Sequence, residues 1–294
     1  MRQNPVAHFR INKVRFRNPL IWYSRMLEHD PLPGFSVQRH TPVVMAHSHT
    51  HAHLEVNFIT GARMRYRTPQ GDVWVEPNQI TLFWAQFDHQ AVTVEGDGDI
   101  VNINLPLDTL SELQLPVEFL ARLFRGDILF AQDRASFDRP LFRQWHVDWT
   151  SGVEWRQQQT IQEVGLRIRR MAMAHIQSQG LQTASPPDLV RVQKMLNFVF
   201  AHYLDPISVN DVAASADLSA AQARRIFQHL LDCGVHQFVR RLRLSHAHRM
   251  IMRNEKPVTA IALEVGFNSL SGFYTAFTDH YGQPPGQVVA GARG

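Results

Sequence analysis

Six polar residues stand at every second position between His47 and Asn57: His47, His49, His51, His53, Glu55 and Asn57. Alternate side chains of an extended strand share a face, so the six would line one side, with Ala52, Leu54, Val56 and Phe58 on the other. The row offers imidazole nitrogens, a carboxylate and an amide. Such groups either hydrogen-bond a polar small molecule or present lone pairs to a metal ion. Farther on, the run Ile80-Thr81-Leu82-Phe83-Trp84-Ala85 leads to His89. On a straight strand Glu55 lies about 13 Å beyond His51 at roughly 3.3 Å per residue, so an ion shared by the two requires a bend. Three readings stand at this point: an effector pocket of His49, His51, Glu55, Asn57, Trp84 and His89; a metal site of His49, His51, Glu55 and His89; or surface histidines. Trp84 is either a flat apolar wall of the pocket or a core aromatic behind it. The first reading, with no metal or other cofactor, is the one carried forward.

A second set of residues suits nucleic acid. Between Ser219 and Arg253 there are seven arginines and one acid, Asp232. In the helix expected after Ser219, Ala223, Ile226, Phe227 and Leu230 fall on one arc. Ala221, Arg224, Arg225 and Gln228 fall on the opposite one, at i, i+3, i+4 and i+7. Arginine forks onto guanine and glutamine onto adenine in a major groove. The basic run continues through Arg240, Arg241, Arg243, Arg249 and Arg253, on a helix expected over 236–253. A solvated basic face is the bland alternative.

The elements that must carry these residues follow from periodicity. Residues 1–35 show no clear period and read as an arm. Residues 36–178 read as one domain: short strands from Phe35 to about Leu105, broken by glycines and Pro69-Gln70-Gly71, then helices at 107–125 and 153–177. Strands at turn spacing suggest a β-barrel or sandwich. The later helix carries Ile161, Val164, Ile168, Met171 and His175 or Ile176 down one side, to pair with a second copy or to pack on its own domain. Residues 179–188 read as a linker, and 189–294 as helices throughout.

That last stretch repeats itself. Val212-Ala213 followed by Ala216-Asp217-Leu218 recurs 49 positions on as Ile261-Ala262 followed by Val265-Gly266-Phe267. Each copy opens on a helix start, Ser208 with Asp211 or Pro257 with Val258, and reaches a second polar start at Ser219 or Asn268-Ser269. Two helix-turn-helix units are expected, joined by a helix of about 27 Å at 1.5 Å per residue, near the ~34 Å repeat of the major groove.

Composition sets the frame. The 294 residues suit two domains, and the isoelectric point near 9.6 with a net charge of +4 agrees with a nucleic-acid partner. The single Cys233 allows no internal disulfide. No apolar run is long enough for a bilayer, and no signal-peptide pattern follows the basic N-terminus, so the cytoplasm is the expected location. There is no phosphate loop and no nucleophile with a recognisable base, so no enzyme is expected.

The run Ile261-Ala262-Leu263-Glu264-Val265-Gly266-Phe267, with Phe273, Phe277, Gly282 and Pro284-Pro285, resembles the signature of AraC-type transcription regulators. The resemblance implies base reading by the first recognition helix, here Ala221, Arg224 and Arg225, and Gln222 and Gln228 of the same helix are further DNA-binding candidates. For the second it implies Leu270, Ser271 and Thr275; Ser269 at that helix's start and Arg240, Arg241 and Arg243 of the basic run are further DNA-binding candidates, Arg243 as a phosphate contact. Thr275 departs from the long polar group that members often carry there, and Asp279 adds a negative charge. Most base discrimination is therefore expected from the first unit. His49-x-His51-x3-Glu55 with His89 resembles the two cupin motifs, whose residues bind metal, although the sensor domains of this family resemble cupins that have mostly lost it. The expected class is thus α+β multidomain, an N-terminal cupin-like β-barrel with dimerisation helices followed by an all-α tandem helix-turn-helix domain. Further stretches, including Asn104-Leu105-Pro106 and Val209-Asn210-Asp211-Val212-Ala213, resemble a sugar-responsive branch of the family. That implies a homodimeric activator with double-stranded DNA, a saccharide and RNA polymerase as partners. The rivals are a metal-dependent cupin enzyme and a regulator sensing a metal or a non-sugar metabolite.

Overall fold

The computed structural model describes residues 34–292 apart from 52, 134, 180–185 and 255. The expected arm falls outside these residues save for Gly34 and Phe35, and most of the expected linker falls outside them too. Phe35 is buried, its ring 4.8 Å from that of Trp149. Eight strands follow: β1 (Ser36–His40), β2 (Leu54–Thr60), β3 (Arg63–Thr68), β4 (Gly71–Val75), β5 (Ile80–Trp84), β6 (Gln90–Glu95), β7 (Asp99–Leu105) and β8 (Leu129–Phe130). They form two sheets, ordered β1-β7-β2-β5-β8 and β4-β3-β6. A closed barrel was the expectation; among the described residues the strands stay in two separate sheets. Ile59, Phe83 and Ile100 from the first share a core with Met64, Tyr66 and Val75 from the second. Gly98 is required where the chain turns into β7, because a Cβ there would sit 1.6 Å from the Thr60 carbonyl oxygen.

The other face of the larger sheet is apolar and carries helices. The single helix expected over 107–125 is broken into a 3-10 turn (Leu107–Thr109), α1 (Leu110–Leu113) and α2 (Val117–Phe124). Gln114 adopts φ +48° and Pro116 follows, so the chain cannot continue helically there. Helix α3 (Asp138–Thr150) buries Phe142, Trp145 and Trp149. Helix α4 (Glu154–Gln179) turns its stripe inward: Val164, Ile168, Met171 and His175 are buried and Ile161 half-buried. Arg167 on α4 is bound to Asp138 at 2.7 Å, and Trp145 Nε1 donates to Glu163 at 2.8 Å. Of the two readings of the stripe, pairing with a second copy or packing on its own domain, the buried side chains agree with the second.

Helix α5 (Pro186–His202) begins with Pro186 and Pro187, residues assigned to the linker from sequence; proline suits a first helical turn, where no amide hydrogen is needed. The two repeats are α6 (Val209–Ala214) with α7 (Ala220–Leu231), and α9 (Val258–Glu264) with α10 (Leu270–Tyr281), joined by α8 (Val235–Arg253) and closed by α11 (Pro285–Ala292). Ser208 with Asp211 and Ser219 with Gln222 form capping boxes, and the Ser269 hydroxyl accepts the Gly272 amide at 3.2 Å. Ser219→Ala is expected to cost about 1 kcal/mol of stability, read as a lower urea midpoint. An unchanged midpoint would mean that the cap contributes nothing.

The core does not respect the boundary between the two halves. One apolar cluster runs from Leu54 and Trp84 on the sheet through Phe124 on α2 to Phe227 on α7 and Phe238 on α8. The second repeat has its own core, with Ile261, Val265, Phe273 and Phe277 packed on Leu244 and Ile251. Helix α8 lies between the two clusters and is buried on nearly every side.

Candidate DNA interface and effector site

Helix α7 divides as its periodicity requires. Ala223, Ile226, Phe227 and Leu230 are buried, while Ala221, Gln222, Arg224, Arg225 and Gln228 are exposed on the other side. Gln222 is committed to the cap, its Oε1 accepting from Ser219 N at 3.1 Å and Ser219 Oγ at 2.9 Å. On α10, Ser269, Leu270, Ser271 and Thr275 are exposed, and Phe273 and Phe277 are buried.

The arginines of α8 correct the sequence reading. Arg240 and Arg253 are exposed. Arg241, expected on DNA, stacks its guanidinium 4.6 Å from the centre of the Trp84 ring, and burial lowers its pKa. Arg243, expected on phosphate, donates to the carbonyls of Tyr203 at 2.6 Å, Asp205 at 2.6 Å and Gly266 at 2.7 Å. Arg249 is paired with the buried Asp108 of the N-terminal half. Three of the five basic side chains hold the protein together. Gly266 in the repeated motif has φ +86°, and a Cβ on it would come within 2.7 Å of Arg243 Cζ. Only glycine meets both conditions.

The polar row is not one straight strand. Regular pairing begins at Leu54, and the segment before it bends back so that His49 and His89 exchange both backbone hydrogen bonds, at 3.1 and 3.2 Å. The bend brings His51 Nε2 to 2.5 Å from Glu55 Oε1, with His89 Nε2 at 3.6 Å from the same oxygen. One ligand atom from each of His49, His51, Glu55 and His89 lies within 4.8 Å of the others. The Glu55 Oε2 accepts from Asn57 Nδ2 at 3.3 Å and Asn102 Nδ2 at 3.1 Å, and Asn102 also donates to Asn57 Oδ1 at 2.7 Å. Burial alone would raise the Glu55 pKa, but hydrogen bonds from His51 and His89 hold it well below the usual carboxylate range. Burial would lower His89, and the hydrogen bond and charge of Glu55 outweigh it and raise it. The result is a buried carboxylate ringed by imidazoles and amides, able to bind a hydroxylated ligand or an ion.

Trp84 does not belong to this cluster. It pairs with Leu54 while Glu55 pairs with Phe83, so Trp84 lies on the opposite face of the sheet. It is 1 % exposed, against Phe124, Phe87 and Arg241. His47 is exposed and has no place in the cluster either. Asn102 was missed from sequence; its signal was the alternation Asn102-x-Asn104 inside an apolar run. Arg39, Arg63 and Arg65 form ion pairs with Asp99, Glu95 and Asp72.

Asp108 is the other residue that sequence reasoning missed. Buried between the halves, it accepts from Ser245 Oγ at 2.8 Å, pairs with Arg249 and lies 3.4 Å from His246 Nδ1. Nearby, His53, two residues beyond His51, sets its ring 6.0 Å from His248 on α8, and His248 stacks 4.5 Å from Tyr281 of α10. A line of contacts thus runs from the histidine cluster to the second recognition helix.

A helix-turn-helix domain family model matches residues 212–290. The melibiose operon regulatory protein of Escherichia coli K12 is 26% identical over 282 residues, covering 92% of this chain and 90% of that protein. The transcriptional regulator ArgR of Pseudomonas aeruginosa is 31% identical over 85 residues, 29% of this chain and 26% of its own. Among solved structures, ToxT of Vibrio cholerae with a bound unsaturated fatty acid superimposes with a TM-score of 0.51 at 11% identity, covering 87% of this chain and 94% of ToxT. ToxT bound to a naphthalenyl butenoic acid gives 0.53 at 11% identity, covering 88% and 99%. These likenesses agree with the exposed arginine face of α7 and the doubled helix-turn-helix: residues 212–290 form an AraC-type helix-turn-helix domain, and the chain is similar over nearly its whole length to a transcription regulator.

Proposed function

We propose that this regulator is an activator that reads its operator chiefly through Arg224, Arg225 and Gln228 of α7, and that a saccharide bound at His49, His51, Glu55, Asn57 and His89 sets its activity. The single observation that carries the DNA half is the exposure of those three side chains on a capped helix whose other face is buried. Leu270, Ser271 and Thr275 of α10 add contacts in the neighbouring groove, and Arg240 suits a phosphate. Arg225→Ala is expected to weaken operator binding by roughly 1–3 kcal/mol and to relax one base preference. Equal selectivity in the variant and the parent, measured on a panel of single-base operator changes, would refute the assignment.

The effector half is supported by the site's chemistry. A buried, ionised Glu55 accepts hydrogen bonds from hydroxyls, and the amides of Asn57 and Asn102 add a donor and an acceptor. An anionic ligand such as the acids carried by ToxT would meet the Glu55 charge directly. The relative named for a melibiose operon agrees with a sugar. The signal would pass along His53, His248 and Tyr281, because a ligand that favours one placement of the His49–His53 segment favours one placement of α8. A homodimer is the proposed active form: Trp155, Leu166 and Met173 recur along α4 and are exposed at 63%, 62% and 54%. An operator-linked reporter that rises with one disaccharide, and not in Glu55→Gln, would support the effector reading; a reporter indifferent to all sugars would overturn it.

A further inference from the structure

We propose that the effector site runs on past Glu55, across the inner face of the larger sheet, to a second subsite built by Asn104, Ser36 and Gln38, which takes the second ring of a two-unit saccharide. This rests on the saccharide reading above and adds to it the length of the ligand.

Strand register lays the surface out. Glu55, Asn57 and Ile59 are alternate residues of β2, and Ile100, Asn102 and Asn104 of β7, so each trio shares a face. Ile59 and Ile100 belong to the core shared with the smaller sheet, and the four polar side chains are therefore turned to that side. Paired residues of neighbouring strands lie on the same face. One row thus reads Phe83, Glu55, Asn104 and Ser36 across β5, β2, β7 and β1, and the next reads Thr81, Asn57, Asn102 and Gln38. Strands lie about 4.8 Å apart, so Glu55 and Ser36 stand about 10 Å apart, a length that suits two linked pyranose rings.

Asn104 is the amide left over. Asn57 and Asn102 direct their amides to Glu55, and Asn102 also donates to Asn57. Asn104 donates from Nδ2 to Ser36 Oγ at 3.2 Å, while its Oδ1 is buried without a partner on a residue only 8 % exposed. Turning the amide over moves the deficit to its other end. An amide serving only to tie β1 to β7 would be paired at both ends, because a buried polar atom without a partner is costly. A ligand hydroxyl supplies the missing donor, and the Ser36 hydroxyl, its oxygen already accepting, has its own hydrogen to give. Strand β1 is the edge of the sheet, with Ser36 half-buried and Gln38 exposed, so a ring can enter there from solvent. At the far end of the row Phe83 stands beside Glu55, and Tyr66 of the facing sheet lies 6.0 Å from its ring. These aromatics suit the apolar face of the first ring.

Isothermal titration calorimetry on the full chain compares melibiose and other disaccharides with their component monosaccharides. One disaccharide should bind at least tenfold more tightly than either of its halves. Asn104→Ala should lower that affinity about tenfold and leave the weaker monosaccharide binding unchanged, whereas Glu55→Gln should weaken both. Gln38→Ala, at an exposed position, should lower disaccharide affinity alone by a smaller factor, and it carries the comparison should Asn104→Ala fail to melt cooperatively. Undiminished disaccharide affinity in the variant, an equal loss for both sizes of sugar, or a monosaccharide that binds as well as any disaccharide overturns the second subsite and leaves the saccharide reading intact. If the folded parent binds no sugar at all, that reading is removed and the subsite falls with it.

Discussion

Asp108→Ala is expected to destabilise the full chain by about 3–5 kcal/mol, because it strands the Arg249 guanidinium in a largely closed interface. Asp108 is 2 % exposed and unites the two halves through Ser245, His246 and Arg249, all on α8. Removing the carboxylate leaves a charge and a hydroxyl without their partner. Urea unfolding of the variant should show a lower midpoint, and limited proteolysis should cut between the halves sooner. Unchanged stability would mean that the interface is held by its apolar contacts alone. The same interface predicts acid sensitivity. Burial would raise the Asp108 carboxyl, but the His246 hydrogen bond, the Arg249 charge and Ser245 hold it below its usual value. Its contribution is present above the unfolded carboxyl pKa and lost as pH falls through the lower folded one. Burial also pushes His248 down to about 4, so its neutral form is favoured in the folded chain. That contribution is present above the unfolded value near 6.5 and is lost between there and about pH 4. Stability should therefore begin to fall in mild acid, well before the carboxylates titrate.

Arg243→Ala should lower stability by about 2–4 kcal/mol and leave the salt dependence of operator binding with its parent slope. Its guanidinium spans three carbonyls, Tyr203 and Asp205 just beyond α5 and Gly266 in the turn of the second repeat. Charged hydrogen bonds contribute roughly 1.5–3 kcal/mol each, with strong overlap when one group makes several. A phosphate contact would behave in the opposite way, flattening the slope by about one unit without unfolding the protein. Thermal melting and binding isotherms at several salt concentrations separate the two outcomes. Arg243→Lys keeps the charge but not the fork, and should resemble alanine in the melt.

The legible parts of this molecule are those whose pattern is local. The doubled helix-turn-helix could be read from capping residues, i/i+3/i+4 faces and a repeated Gly-Phe turn, and α7 exposes Arg224, Arg225 and Gln228 as its periodicity requires. Strand alternation from Phe35 to Leu105 was equally local. The histidine cluster was half legible. Types and spacing nominated His49, His51, Glu55 and His89, but the straight-strand estimate kept His51 and Glu55 far apart, and only the bend ahead of Leu54 joins them. Trp84 was misplaced because a strand's two faces look alike in sequence when both are covered.

What the chain's residues determined unaided was its class: tandem recognition helices, a strand-rich sensor and a set of polar groups awaiting a ligand, each specified by contacts within a turn or a hairpin. What tertiary structure alone decided was how the basic residues are divided. Arg240 and Arg253 face solvent, while Arg241, Arg243 and Arg249 meet Trp84, three carbonyls and Asp108, partners 23 to 157 positions away in the chain. A helix covered on nearly every side has no periodicity that betrays which neighbour each side chain will find. The partners are brought there by burial of apolar surface from both halves, and that is a property of the whole chain.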